Sequence, residues 1–162
     1  QRVAARPRLE PLTADQSVGY LRHQIEAAGG DPIEVFDAEA LDLLARACGG
    51  VPRVLNHAAA VAGELAAAVG AEAVDAEAAV EALGRLGKAA GKVVPGLTGD
   101  LLSGVPATRN RAAHALKKIG PAAAKAVPAL TAALADPDAE FRRLAALALA
   151  GIGRGADKAV SA

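Results

Sequence analysis

The sequence predicts an all-α protein, and three observations carry that prediction. Of 162 residues, 52% are hydrophobic but only 2% are aromatic. The apolar mass is therefore Ala, Leu and Val; Ala and Leu are strong helix formers. Apolar residues recur at helical spacing between Gly and Pro punctuation, and few stretches are rich in β-branched residues. In the second half a block of sequence returns after 33 residues, the mark of stacked supersecondary units.

The opening "RVAARPRLEPL" reads as a short strand or strand remnant running into a linker. Thr13 then begins T-x-x-Q with Gln16, a capping box that satisfies free N–H groups at a helix start. Val18, Leu21 and Ile25 follow at helical spacing, and Gly29-Gly30 ends that helix. "DPIEVF" reads as a loop leading to Asp37, an N-cap for a helix that carries Leu41, Leu43 and Leu44 and stops at Gly49-Gly50. Pro52 fits the first turn of a third helix, where a missing N–H costs nothing. That helix runs through Val54, Leu55, Ala58, Val61 and Leu65 to Gly70. Asp75 caps a fourth in "VDAEAAVEALGRLG". We expect residues 1–87 to form a compact four-helix bundle.

Residues 88–162 form the second expected module. "VPGLTGDLL…TRNRAAHALKKIG" recurs as "VPALTAALADPDAEFRRLAALALAGIG", with Val94-Pro95 matching Val127-Pro128 and Ile119-Gly120 matching Ile152-Gly153. Each unit is expected to hold a short helix starting near the proline, a turn, and a second helix. After Gly153, "RGADKAV" restarts the connection seen in "PAAAKAV". With Gln1 in place of Met at the start, this suggests a piece of a longer protein. Charge also divides at this point. Residues 1–87 hold seven Arg and thirteen acids, net −6, while residues 88–162 hold eleven Lys or Arg and five acids, net +6.

Several function classes are excluded. No run of 18 apolar residues indicates a membrane span, and no secretory leader pattern opens the chain; a cytoplasmic location is expected. The lone Cys48 excludes a disulfide framework and a multi-cysteine zinc site; it reads as a small buried hydrophobe near a helix end. His23 and His57 have no partner at metal-ligand spacing, so no metal site is expected. There is no phosphate-binding loop, no acidic metal-binding strand and no nucleophile–base pair. The chain alone is expected to be catalytically inert.

Arg53, in "GGVPRVLN", breaks a local rule. A helix N-terminus carries about half a positive charge and favours acids there. With "QR", "L-x-P-L", "YL" and a phenylalanine before the second helix, this G-x-P-R-x-x-N segment resembles the C-terminal lid of AAA+ ATPases. The bacterial general secretion pathway and transposition ATPase groups are the most similar. The resemblance implies that Arg53, with Pro52 and Gly50, faces the phosphates of ATP and its Mg ion, held mainly by an α/β core outside this chain. It implies an ATPase for the parent protein, which in that family can be a homo-oligomer. More loosely, Arg2 resembles an arginine finger offered in trans, and Asn56 would orient Arg53. Without the resemblance, Arg53 reads as an exposed arginine bonded to Asp42 or Asp37.

The 33-residue unit, with D-P-D…R-x-x-A-A-x-A-L-x-x-I-G, resembles the short bacterial form of HEAT-like repeats and implies an α-solenoid of about two repeats that binds a protein partner. Arg109, Arg111, Lys117, Lys118, Arg142 and Arg143 are the candidate partner-binding residues. A second reading makes Arg109 and Arg142 a structural ladder to turn acids such as Asp136. Three functions stay open: a nucleotide-sensing lid with a partner-binding array, a non-catalytic interaction scaffold, and a DNA-associated transposition or recombination ATPase. Aromatic residues for base stacking are absent, which places nucleic acid behind protein as a partner.

Overall fold

The computed structural model describes residues 10–160, with backbone alone at 88 and 154–160. The described residues are helical throughout, as the composition predicts. Helices α1 (Ala14–Ala27), α2 (Pro32–Val35), α3 (Ala38–Ala47), α4 (Pro52–Ala68) and α5 (Ala76–Gly84) come first. Then follow α6 (Ala90–Asp100), α7 (Pro106–Ile119), α8 (Val127–Ala133) and α9 (Ala139–Val160). Short 3₁₀ segments at Gly87–Ala89 and Gly120–Ala126 lead into α6 and α8. The strand remnant expected at the start falls largely on residues 1–9, outside the described residues.

The predicted caps form. The Gln16 N–H donates to Thr13 Oγ1 at 3.2 Å and the Thr13 N–H to Gln16 Oε1 at 2.9 Å, completing the capping box of α1. Asp37 and Asp75 accept from the backbone N–H groups of Ala40 (2.6 Å) and Ala78 (2.8 Å) and so start α3 and α5. Between those two starts lies a single parallel bridge, Phe36 to Val74. It sets the two helices side by side. The segment read as a loop, "DPIEVF", instead forms the one-turn helix α2. Asp31 accepts from the Ile33 N–H at 2.9 Å, and Pro32 presets the first helical φ.

A second difference concerns α6. It begins at Ala90, five residues before Pro95, which lies inside the helix. Proline there leaves the carbonyl four residues back, on Gly91, without its helical donor. Gly91 is exposed, so solvent can take that bond.

The apolar core is continuous from Leu21 to Ile152 and runs through residue 87 without a break. Helices α5, α7 and α9 stack side by side, with α6 and α8 packed against them. Helix α3 packs on α1, α5 and α6, and α4 on α5. The stacked helices share buried positions at 33-residue spacing: Ala79, Ala112 and Ala145, then Ala82, Ala115 and Ala148, are all fully buried. Leu86, Ile119 and Ile152 follow, at most 8% exposed. Gly87 and Gly120, also 33 apart, have φ of +55° and +66°. Only glycine takes that left-handed turn freely. The repeat therefore starts one unit earlier than the sequence comparison placed it, because "ALGRLG" at the end of α5 is the first copy of "ALKKIG" at the end of α7. Among the described residues, no helix is long and apolar enough to cross a membrane.

Candidate functional site

The outer face of α5, α7 and α9 gathers most of the predicted partner-binding residues. An open groove of about 330 Å³ between α7 and α9 is lined by Arg111, His114 and Lys117 on one wall and Arg143, Leu144 and Leu147 on the other. Arg111 and His114 also line a second groove against α5, beside Glu77 and Val80. His114 thus sits where the two grooves meet. Burial and the nearby Lys117 and Lys118 hold its pKa below the usual histidine range, favouring the neutral ring.

Most cations on this face are already neutralised. Arg111 bonds Glu39 of α3, Lys118 bonds Glu81 of α5 at 2.6 Å, and Arg143 bonds Glu140 at 2.6 Å. Lys118 and Arg85 hold the Glu81 carboxyl below its ordinary range. Lys117 alone of these four has no carboxylate partner among the described residues. Leu144 and Leu147 are half-buried, so the groove combines apolar side chains with a free ammonium and a neutral imidazole. That mixture suits a folded protein or peptide surface better than a polyanion.

Arg109 and Arg142 do something else. Arg109, on α7, reaches the α8–α9 turn, with Nη1 3.1 Å from Asp136 and Nη2 3.6 Å from Asp138. Its guanidinium stacks 4.8 Å from the centre of the Phe141 ring. Arg142 donates through Nη1 to the carbonyls of Asp136 (2.8 Å) and Pro137 (2.9 Å). Arg109 therefore joins one repeat to the turn of the next, as the ladder reading holds, whereas Arg142 braces its own turn.

The other predicted site is the start of α4. Val51 provides no side-chain cap, and no acid stands in the first turn. Arg53 is exposed there and has no side-chain partner among the described residues. Asp42, offered as its partner, bonds Arg46 instead at 2.9 Å, and the Asp37 side chain caps α3. Asn56 does not hold the turn around Arg53; its Nδ2 donates to the Tyr20 hydroxyl at 2.9 Å and ties α4 to α1. Gly50 has a local reason to be glycine. Its φ is +70°, its carbonyl accepts from the Leu12 N–H at 3.0 Å, and a Cβ would lie 2.0 Å from the Leu12 carbonyl oxygen. Pro52 is exposed at the first position of α4. Arg2 lies outside the described residues.

Cys48 ends α3, fully buried. Burial pushes its thiol up to about 12, so it is inert rather than nucleophilic. No group of three or more His, Cys, Asp or Glu among the described residues is placed to hold a metal.

Stacked helices repeating every 33 residues, with glycine turns in register, define a helical-repeat protein of the α-solenoid class. Residues 64–150 match the family model for HEAT repeats, more than half of the chain, and the chain belongs to that family. The match begins within α4 and takes in α5, so it overlaps the end of the expected first module, residues 1–87, while the lid-like motifs, which end at Asn56, lie before it. No curated protein and no solved structure matches the chain.

Proposed function

We propose that this chain is a non-catalytic interaction scaffold that binds a protein partner on the outer face of α5, α7 and α9. The observation that carries this reading is the α7–α9 groove, in which half-buried Leu144 and Leu147 lie opposite His114 and Lys117. Pairing of three of the four cations on the face argues against nucleic acid, whose binding grows with the number of phosphates neutralised. It argues equally against a DNA-associated transposition role for the described surface. A photo-crosslinking residue at Leu147, with a control at exposed Ala132 on α8, tests the proposal in cells of the source organism. A discrete adduct from position 147 and none from position 132 is the expected result. The same adducts at both positions, or none at 147, would refute it.

A second reading rests on Arg53. An exposed, unpartnered arginine at an uncapped helix start is compatible with an anion such as the phosphates of ATP, as the lid resemblance implies. In a parent protein that carries an ATP-binding core, Arg53→Ala is expected to lower ATP affinity or hydrolysis by about tenfold, the worth of one charged contact. Unchanged kinetics would remove the nucleotide role and leave the scaffold.

A further inference from the structure

Asp100 lies at the end of α6, where α6 meets α3. It is one of two buried polar or charged residues among those described. Its Oδ1 is 4.0 Å from Arg46 Nη1, a long and partial pairing, and its Oδ2 is buried with no hydrogen-bond partner. The void beside it measures about 10 Å³, room for at most one water. One turn earlier, Gly96 lies so close to the carbonyls of Arg46 and Ala47 that an added Cβ would be 2.4 and 2.8 Å from their oxygens. The seam between α3 and α6 is tight on that side and cannot open to hydrate a carboxylate without moving a helix.

The surrounding charges do not compensate. Glu39, Asp42 and Arg46 of α3 and Arg111 of α7 line the same void, with Thr108. Arg46 is committed to Asp42 and Arg111 to Glu39. Helix α5 and the 3₁₀ segment before α8, which also pack on α6, contribute nothing to this lining. With Asp100 ionised, three carboxylates face two guanidinium groups. With Asp100 protonated, the cluster is neutral.

We propose that Asp100 and its cluster form a proton-operated latch between α3 and the repeat array, tight when Asp100 is protonated and loosened when it is ionised. Burial raises the Asp100 carboxyl from its usual 3.8 to about 6. An acid whose folded pKa lies above its unfolded pKa stabilises the fold fully below the unfolded value and loses that contribution as pH rises through the folded value. Stability from this group is therefore greatest below about pH 4 and is lost as pH rises through 6. A shift of about two units corresponds to roughly a 100-fold change in the folding equilibrium. His114 acts in the opposite sense. Its lowered pKa favours folding at neutral pH and loses that contribution on acidification, so the wild-type profile mixes both groups.

Comparison with Asp100→Asn separates them. Urea unfolding at pH 7.5 is expected to show Asp100→Asn more stable than wild type by tenfold or more in equilibrium constant, with the gap at least tenfold narrower at pH 4.5. Hydrogen exchange at pH 7.5 should find the gain in protection at Leu43–Ala47 and Leu97–Asp100. A constant offset at both pH values, or a variant no more stable than wild type at pH 7.5, would overturn the proposal. A second variant, Arg46→Met, removes the nearest cation. NMR titration of the Asp100 carboxyl carbon should then give a higher midpoint than in wild type, and an unchanged midpoint would equally count against the latch.

Discussion

Gly96→Ala is expected to destabilise the protein by about 3 kcal/mol, although helix propensity alone predicts a gain. Exchanging glycine for alanine inside a helix is worth about 1 kcal/mol in favour of alanine. At Gly96 the new methyl would stand 2.4 Å from the Arg46 carbonyl oxygen and 2.8 Å from that of Ala47. Both atoms belong to backbone, so no side chain can rotate out of the way. Either α6 lifts away from α3 or the last turn of α3 unwinds, and both routes loosen the packing around Leu43 and Leu97. Gly99, in the same helix, has open space where its Cβ would be, and Gly99→Ala is expected to be neutral or stabilising by up to about 1 kcal/mol. The urea midpoint should fall for Gly96→Ala and hold or rise for Gly99→Ala. If both move upward, the contact between α3 and α6 is softer than its geometry indicates.

That contact also shows which features of this fold the sequence reveals. Helix starts were legible because their chemistry is local. Thr13 with Gln16, Asp37, and Asp75 each bond a backbone N–H within three residues, and the pattern needs no knowledge of the rest of the chain. The repeat was legible where its copies carry the same apolar run and the same Ile-Gly ending. It was missed at α5, where Leu86 stands for isoleucine and Gly84 interrupts the run, although Leu83, Leu86 and Gly87 stand 33 residues before Leu116, Ile119 and Gly120. Helix α2 reads as a loop in the sequence because one turn is too short to show periodicity. The reason for Gly96 was hidden altogether. A glycine required by a neighbouring helix looks the same in sequence as one that merely tolerates it.

The candidate site was legible in composition but not in arrangement. Six of the eleven basic residues of the second half stand out in the sequence, yet the partners of Arg111 and Lys118 lie far away in the chain. Glu39 is 72 residues from Arg111 and Glu81 is 37 from Lys118. Without those pairings the face reads as basic; with them it is close to neutral, with Lys117 as the exception. Asp100 drew no attention in the sequence because a lone aspartate at a helix end is ordinary, and only its burial against α3 makes it unusual. Leu144 and Leu147 likewise do not stand out, since helical spacing alone does not say how much of α9 is covered.

Phe141→Ala is expected to have the largest effect of any single truncation in the repeat array, about 4 kcal/mol. The ring is 2% exposed, and removing it leaves a cavity beneath the α8–α9 turn. It also removes the surface on which the Arg109 guanidinium lies, 4.8 Å from the ring centre. Arg109 bridges Asp136 and Asp138, whose carboxylates accept from the backbone N–H groups of Asp138 and Glu140 at 2.9 Å each. The turn, the cation and the ring therefore act as one unit rather than three contacts. Phe141→Leu fills most of the volume but lacks a π face, and should cost about 1–1.5 kcal/mol. A double-mutant cycle with Arg109→Met then measures the coupling. A value of about 1 kcal/mol or more would assign Arg109 to holding successive repeats together. A value near zero would mean that the ring stabilises by burial alone and that Arg109 holds the next repeat through Asp136 and Asp138.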